Sequence, residues 1–112
     1  MNREEADLQR RFIAFLRARE WFVKATHGNL YQQGFPDLFA THSVYKQRWI
    51  EMKIKKNLKF TPAQLDTFPK MCAHGAGVWV ITDCTQQEYD KLFKRPNWQD
   101  YALYKSLGGT WK

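Results

Sequence analysis

Cysteine is almost missing from this 112-residue chain, which carries only Cys72 and Cys84. Two cysteines cannot make a disulfide framework, and these lack the spacing of a zinc site. They read as free thiols of a reducing, cytoplasmic compartment. Glycine and proline are also sparse, six and four residues, without repeats or a Gly/Ser/Pro-rich linker. That excludes collagen-like, low-complexity and linker-joined architectures. No apolar run approaches the roughly 20 residues that cross a bilayer. The start, Met1-Asn2-Arg3-Glu4-Glu5, is followed by no apolar segment, so neither a membrane span nor a signal peptide is expected. Acidic residues are the last shortage: eleven against eighteen Lys and Arg give a net charge of +7. A small domain this basic commonly meets a polyanion, most often nucleic acid.

What is present suits one globular domain spanning 1–112, with a core over about 5–95 and a loose tail at 106–112. Hydrophobic residues make up 44% and charged residues 26%, enough to bury a core. Leu8, Phe12, Phe15 and Leu16 recur at helical spacing and predict a helix over 2–19. At 100° per residue, Glu5 falls about 35° from the centre of that apolar stripe, at the core edge. Trp21–Thr26, Asp37–Thr41 and Gln47–Ile54 read as strands. Thr61-Pro62-Ala63-Gln64 carries an N-cap, a first-turn proline and a capping-box glutamine, so a helix starts there and Pro69 should kink or shorten it. Val78–Thr82 is apolar throughout and reads as a buried central strand. Thr85-Gln86-Gln87-Glu88 opens a last helix with a second capping box, Pro96 ends it, and Trp98–Tyr104 packs back on the body. The predicted fold class is α/β, a mixed central sheet flanked by helices in the order αβββαβ and a closing helix.

One spacing carries chemistry. Asp37 opens a strand behind Pro36, and Glu51 lies fourteen residues later within the next. Adjacent strands bring the two carboxylates together, and the period of two places Lys53 on the face of Glu51. Two carboxylates and a lysine suit metal-assisted phosphodiester hydrolysis. Mg²⁺ takes hard oxygen ligands, here Asp37, Glu51 and the backbone carbonyl of Met52, and activates a bound water. Lys53 orients that water or stabilises the anionic transition state. Glu5 is placed to reach the same metal or a second one.

In this order, Glu5-Ala6-Asp7-Leu8-Gln9, Gly34-Phe35-Pro36-Asp37-Leu38, Trp49-Ile50-Glu51-Met52-Lys53 and Thr61-Pro62-Ala63-Gln64 resemble the PD-(D/E)xK nuclease superfamily. The nearer resemblance is to its VRR-NUC branch, including small stand-alone phage and bacterial proteins similar to Holliday-junction resolvases. It covers roughly residues 5–82. It implies an αβββαβ restriction-endonuclease-like core and Mg²⁺- or Mn²⁺-dependent cleavage of DNA in a bacterial or phage-infected cell. By the same resemblance Asp37 and Glu51 bind metal, Lys53 is the catalytic lysine, Gln64 supports the site and Glu5 is the helix carboxylate. Gln64 is equally explained as the partner of Thr61. His27 falls in the loop where related resolvases hold a small polar residue.

For DNA contact the candidates are Lys24, Lys46, Arg48, Lys55, Lys56 and Lys59, the last three in a basic loop that leaves the site strand directly. His27 is a further candidate. Tyr31 and Phe35, in the loop before Asp37, either stack on an unpaired base or anchor that loop. The expected activity is a metal-dependent endonuclease on branched DNA such as Holliday junctions, working as a homodimer through exposed aromatics near the C-terminus. The rivals are a nuclease or nickase on linear DNA, a non-catalytic DNA-binding module of the same fold, and a basic adaptor for an acidic protein.

Overall fold

The structure, a computed structural model, describes residues 2–26 and 33–101. Helix α1 spans Arg3–Arg17 and starts because Asn2, extended, accepts the Glu5 amide on its side-chain oxygen at 2.8 Å. Glu4 and Glu5 in its first turn and Arg17 in its last complement the helix dipole. Leu8, Phe12 and Leu16 form its buried stripe. Phe15 turns to the flank, edge-on to Tyr89 at 5.5 Å.

Four strands follow the predicted order: β1 Phe22–Ala25, β2 Leu38–His42, β3 Lys46–Met52 and β4 Val78–Ile81. They lie side by side as β1-β2-β3-β4, the first two pairings antiparallel and the last parallel. The parallel pair requires a crossover, supplied by helix α2, Pro62–Ala73. After β4 come helix α3, Gln86–Asp90, a 3₁₀ turn, Lys91–Phe93, and a helical turn at 98–101. The architecture is thus α/β, a mixed sheet with helices on both faces.

Alternation along the strands sorts the core into two layers. Val23, Leu38, Ala40, Ile50, Met52 and Ile81 pack with the α1 stripe on one face. Val78 and Val80 pack with Phe68 of α2, Trp98 and Tyr101 on the other, where Trp49 joins them. Trp98 and Tyr101 are buried inside this second layer, so they cannot serve as an exposed interface.

Three local expectations change. β4 is fully buried yet stands at the edge of the sheet, not its centre. At the middle of its open side Asn97 accepts the Val80 amide at 2.6 Å and donates to the Val80 carbonyl at 3.1 Å. A primary amide offers the donor–acceptor pair that a neighbouring strand would, and so seals the edge. Helix α2 runs through Pro69 to Ala73. Pro69 is exposed, so the carbonyl it leaves unpaired can face water, while Phe68 anchors the turn. Thr85 caps α3, but Glu88 does not complete the box: its Oε1 accepts the amide and hydroxyl of Thr82 at 2.6 and 2.8 Å. Glu88 thereby ties α3 to the end of β4.

Candidate active site

The site is built where β2 begins. Gly34 has φ +84°, and a Cβ there would collide with the Ala63 carbonyl and the Thr67 hydroxyl of α2. Only glycine lets the loop lie this close to the first turns of that helix. Pro36, buried behind it, then delivers Asp37 to the sheet. Thr26, just beyond β1, clamps this peptide: its hydroxyl donates to the Pro36 carbonyl at 2.6 Å and its amide to the Asp37 carbonyl at 2.8 Å.

Asp37 and Glu51 interlock through the backbone. The Asp37 amide donates to Glu51 Oε1 at 3.2 Å, and the Met52 amide donates to Asp37 Oδ2 at 2.9 Å. The second bond fits the geometry of Leu38 opposite Ile50, which leaves Asp37 beside the far end of β3. Glu51 Oε2 accepts Gln64 Nε2 at 2.8 Å and pairs with Lys53 Nζ at 3.2 Å. Lys53 follows β3 in the alternation, held by its amide on the Ile81 carbonyl at 3.0 Å. Its ammonium donates to Gln64 Oε1 at 3.2 Å and sits 5.0 Å from the Phe60 ring centre, a cation–π contact.

Gln64 makes both kinds of contact, to the helix cap and to the candidate site. Its Oε1 accepts the Thr61 amide at 3.0 Å, completing the capping box, and the same oxygen takes Lys53. Its Nε2 remains for Glu51. Helix start and site are therefore one hydrogen-bond network. Glu51 is 2% exposed, Lys53 7% and Gln64 8%, so a polar triad is buried where each group must be paired.

These groups open onto one cavity of about 710 Å³, lined also by Glu5, Thr26, Gln33, Gly34, Phe35, Asp37 and the Thr61–Ala63 turn. Burial, then the neighbouring Asp37 charge, pushes the Glu51 carboxyl up to about 8, against the pull of Lys53 and Gln64. Burial also raises Asp37, with Glu5 adding to the rise, while the Met52 amide and Lys53 oppose it. For both carboxyls burial outweighs the pull of the one nearby ammonium, Lys53. The three partners of Glu51, the Asp37 amide, Gln64 and Lys53, are nonetheless all donors, which suits the ionised form. Among the described residues no three His, Cys, Asp or Glu side chains form a closed metal cage. Two carboxylates with open space for water are the donor set of Mg²⁺ rather than zinc.

A solved structure described as a VRR_NUC domain superposes on this chain with a TM-score of 0.62, at 26% identity, over 80% of this chain and 94% of that one. The chain is similar to a VRR_NUC domain. The fold is accordingly VRR_NUC-like and restriction-endonuclease-like, and the likeness supports the VRR-NUC family. No family model and no curated protein matches the chain.

Within this VRR_NUC-like frame, Asp37, Glu51, Lys53 and Gln64 come together and Glu5 lines their cavity. The Met52 side chain is buried in the α1 layer, and only its backbone approaches the site. Lys55, Lys56 and Lys59 are exposed on the segment that leaves Lys53, with Lys56 paired to Glu4 at 2.6 Å. Lys24 is exposed, and Lys46 donates to the Ser43 carbonyl at 2.8 Å. Arg48 lies on the face of β3 that carries Ile50, opposite to Glu51. Its guanidinium donates to the carbonyls of Leu92, Tyr45 and Gln47 at 2.7, 2.9 and 2.8 Å and lies 5.0 Å from the Trp79 ring. His27 and Tyr31 lie outside the described residues. Sequence reasoning missed Thr26 and Phe60. The signal for Thr26 was its place at a strand end facing the Pro36–Asp37 turn, and for Phe60 its place next to Thr61.

Proposed function

We propose that the chain is a divalent-metal-dependent endodeoxyribonuclease that hydrolyses phosphodiester bonds at the cavity of Asp37, Glu51 and Lys53. One observation carries this reading: half-buried Asp37, just before β2, and buried Glu51 and Lys53, at the end of β3, are linked by hydrogen bonds and open onto shared space. A structural ion pair alone needs no such opening, and an unshared burial of three ionisable groups is costly.

The residues present fit Mg²⁺ or Mn²⁺. Asp37 and Glu51 would hold it with the Met52 carbonyl, and Glu5 would add negative charge at the cavity wall. When bound, the ion supplies a nucleophilic water at neutral pH and screens the phosphate. Glu51 keeps lone-pair capacity on Oε1, which takes a single donor within the described structure. Lys53 spends two of its three N–H donors on Glu51 and Gln64, and the third faces a phosphoryl oxygen or the attacking water. Gln64 positions both Glu51 and Lys53, and Phe60 covers the ammonium. Lys55, Lys56 and Lys59, with His27 and Tyr31 in the loop before the site, would hold flanking phosphates and bases.

The finer reading is that the substrate is branched DNA, such as a Holliday junction, cut by a homodimer. Its support is the resemblance to small resolvases and the one Asp37–Glu51–Lys53 cluster among the described residues of the chain, since two symmetric cuts need two copies. The test is a gel assay with Mg²⁺ or Mn²⁺ on a labelled four-way junction, matched linear duplex and single strand, with an EDTA lane and Asp37→Ala protein. Metal-dependent cutting of the junction, lost in Asp37→Ala while DNA binding persists, is the expected result. Equal cutting of linear DNA keeps the site and removes the junction preference. No cutting with either metal, beside a salt-sensitive band shift, makes the chain a binding module.

A further inference from the structure

The face of the sheet that carries Glu51 is only half covered. Over β4 and the inner side of β3 it is packed by α2, Trp98 and Tyr101. Over β1 and β2 no helix among the described residues packs on it. There the register places Phe39 directly between Lys24 and Trp49, and Thr41 between Phe22 and Gln47. Residues paired in this way project to one side. Phe22 is 60% exposed and Lys24 and Gln47 are exposed, while Phe39, Thr41 and Trp49 are half-buried. Phe35 joins them from the loop, 41% exposed, with its ring edge-on to Trp49 at 6.0 Å, and Phe39 lies 5.0 Å from the same indole. None of these seven residues is acidic.

We infer that Phe35, Trp49 and Phe39, with Lys24 beside them, form a stacking platform for an unpaired nucleobase next to the bond being cut. The inference rests on the nuclease reading and names the feature of the substrate that the site takes. Three observations select this occupant over a protein. Phe35 also lines the cavity of Asp37, Glu51 and Lys53, so platform and site are continuous. Phe39 stands two residues beyond Asp37, about 7 Å along the strand, within reach of the nucleoside adjoining a phosphate held in the cavity. Lys24, opposite Phe39, adds one positive charge to a patch of seven residues without a carboxylate, which suits a phosphate on either side of the stacked base. A paired base presents no free face to such rings, so the platform selects DNA that is single-stranded or splayed at a branch.

The test is binding in EDTA, where no cutting occurs, measured by fluorescence anisotropy. The probes are a fluorescein-labelled dT 12-mer and a blunt duplex of equal length, the proteins wild type, Phe35→Leu, Phe35→Trp and Phe39→Leu. Phe35→Leu should weaken the dT 12-mer about fivefold or more and move the duplex less than about twofold. Phe35→Trp should restore the single-strand affinity, which mere filling of space would not achieve in the leucine variant. Phe39→Leu gives the same comparison should Phe35→Leu fail to fold. Unchanged dT binding in the leucine variants overturns the platform, as does an equal loss on both probes. If wild type sediments as a dimer, Phe35→Leu as a monomer, and dT affinity stays constant, the face belongs to a second copy. Wild type that binds neither probe overturns the DNA reading as well. Wild type that binds both, cuts with Mg²⁺ and ignores Phe35 loses the platform alone.

Discussion

Glu51→Gln isolates the cost of burying a carboxyl in an apo site. The residue is 2% exposed and its carboxyl is pushed from 4.5 up to about 8, mainly by burial. Below about pH 4.5 the group is protonated in both folded and unfolded chains, and stability carries no penalty. As pH rises, the unfolded chain ionises first while the folded chain keeps its proton. Stability is lost across the window from 4.5 to about 8. At about 1.4 kcal/mol per unit, that rise corresponds to a loss on the order of 5 kcal/mol. Glutamine cannot ionise, so the variant should hold its stability over this window. It has one acceptor oxygen where Glu51 faces donors at both ends, Asp37 on one side and Gln64 with Lys53 on the other. One end then sets N–H against N–H, costing about 1–3 kcal/mol. The two stability curves should cross: wild type higher near pH 4.5, the variant higher near pH 8. Urea unfolding followed by tryptophan fluorescence, in EDTA at half-unit pH steps, reads this directly. Mg²⁺ at a hundredfold excess over its Kd should then raise wild type by about 2.7 kcal/mol and leave the variant unmoved. Metal binding at pH 7 should also release protons, as the carboxyl must ionise to ligate. If the variant loses stability with pH as steeply as wild type, the burial argument for Glu51 is wrong.

Gln64→Ala should remove partners from Glu51, Lys53 and the Thr61 amide together, costing about 2–4 kcal/mol in chemical denaturation and most of the cleavage rate. Gly34→Ala should cost more than about 1 kcal/mol, because it forces a Cβ into the Ala63 carbonyl at a positive φ; cleavage should fall with it as Asp37 shifts, and a normal rate would argue against the clamp. Asn97→Ala should unseal the β4 edge at the Val80 amide and carbonyl, lowering stability by about 1–3 kcal/mol and promoting association seen by light scattering.

The juxtaposition of Asp37 and Glu51 was legible because strand periodicity is local. Asp37 and Glu51 lie on two predicted neighbouring strands, and Glu51 and Lys53 are two apart, so pairing and face follow from spacing. Gln64 was legible as a cap for the same reason, since Thr61 and Gln64 are three residues apart. Its second role depends on α2 crossing beside β3, which spacing within the helix does not contain. Arg48 illustrates the converse. As an isolated cation on a strand it reads as a DNA contact, yet its place in β3 turns it to the face of Ala40 and Ile50, where the 3₁₀ turn brings the Leu92 carbonyl to its guanidinium beside those of Tyr45 and Gln47 from its own hairpin.

By itself the sequence determined the element order, the cap at Thr61, the alternation that separates the α1 layer from the site face, and the residues that meet there. These depend on contacts within a few residues or between neighbouring strands. Tertiary structure alone decided that the apolar strand Val78–Ile81 stands at the edge, since its burial comes from Asn97 and the Trp98–Tyr101 turn rather than from a further strand. It also decided that burial raises Glu51 toward neutrality, because desolvation is set by everything packed around the carboxyl and not by its neighbours in the chain.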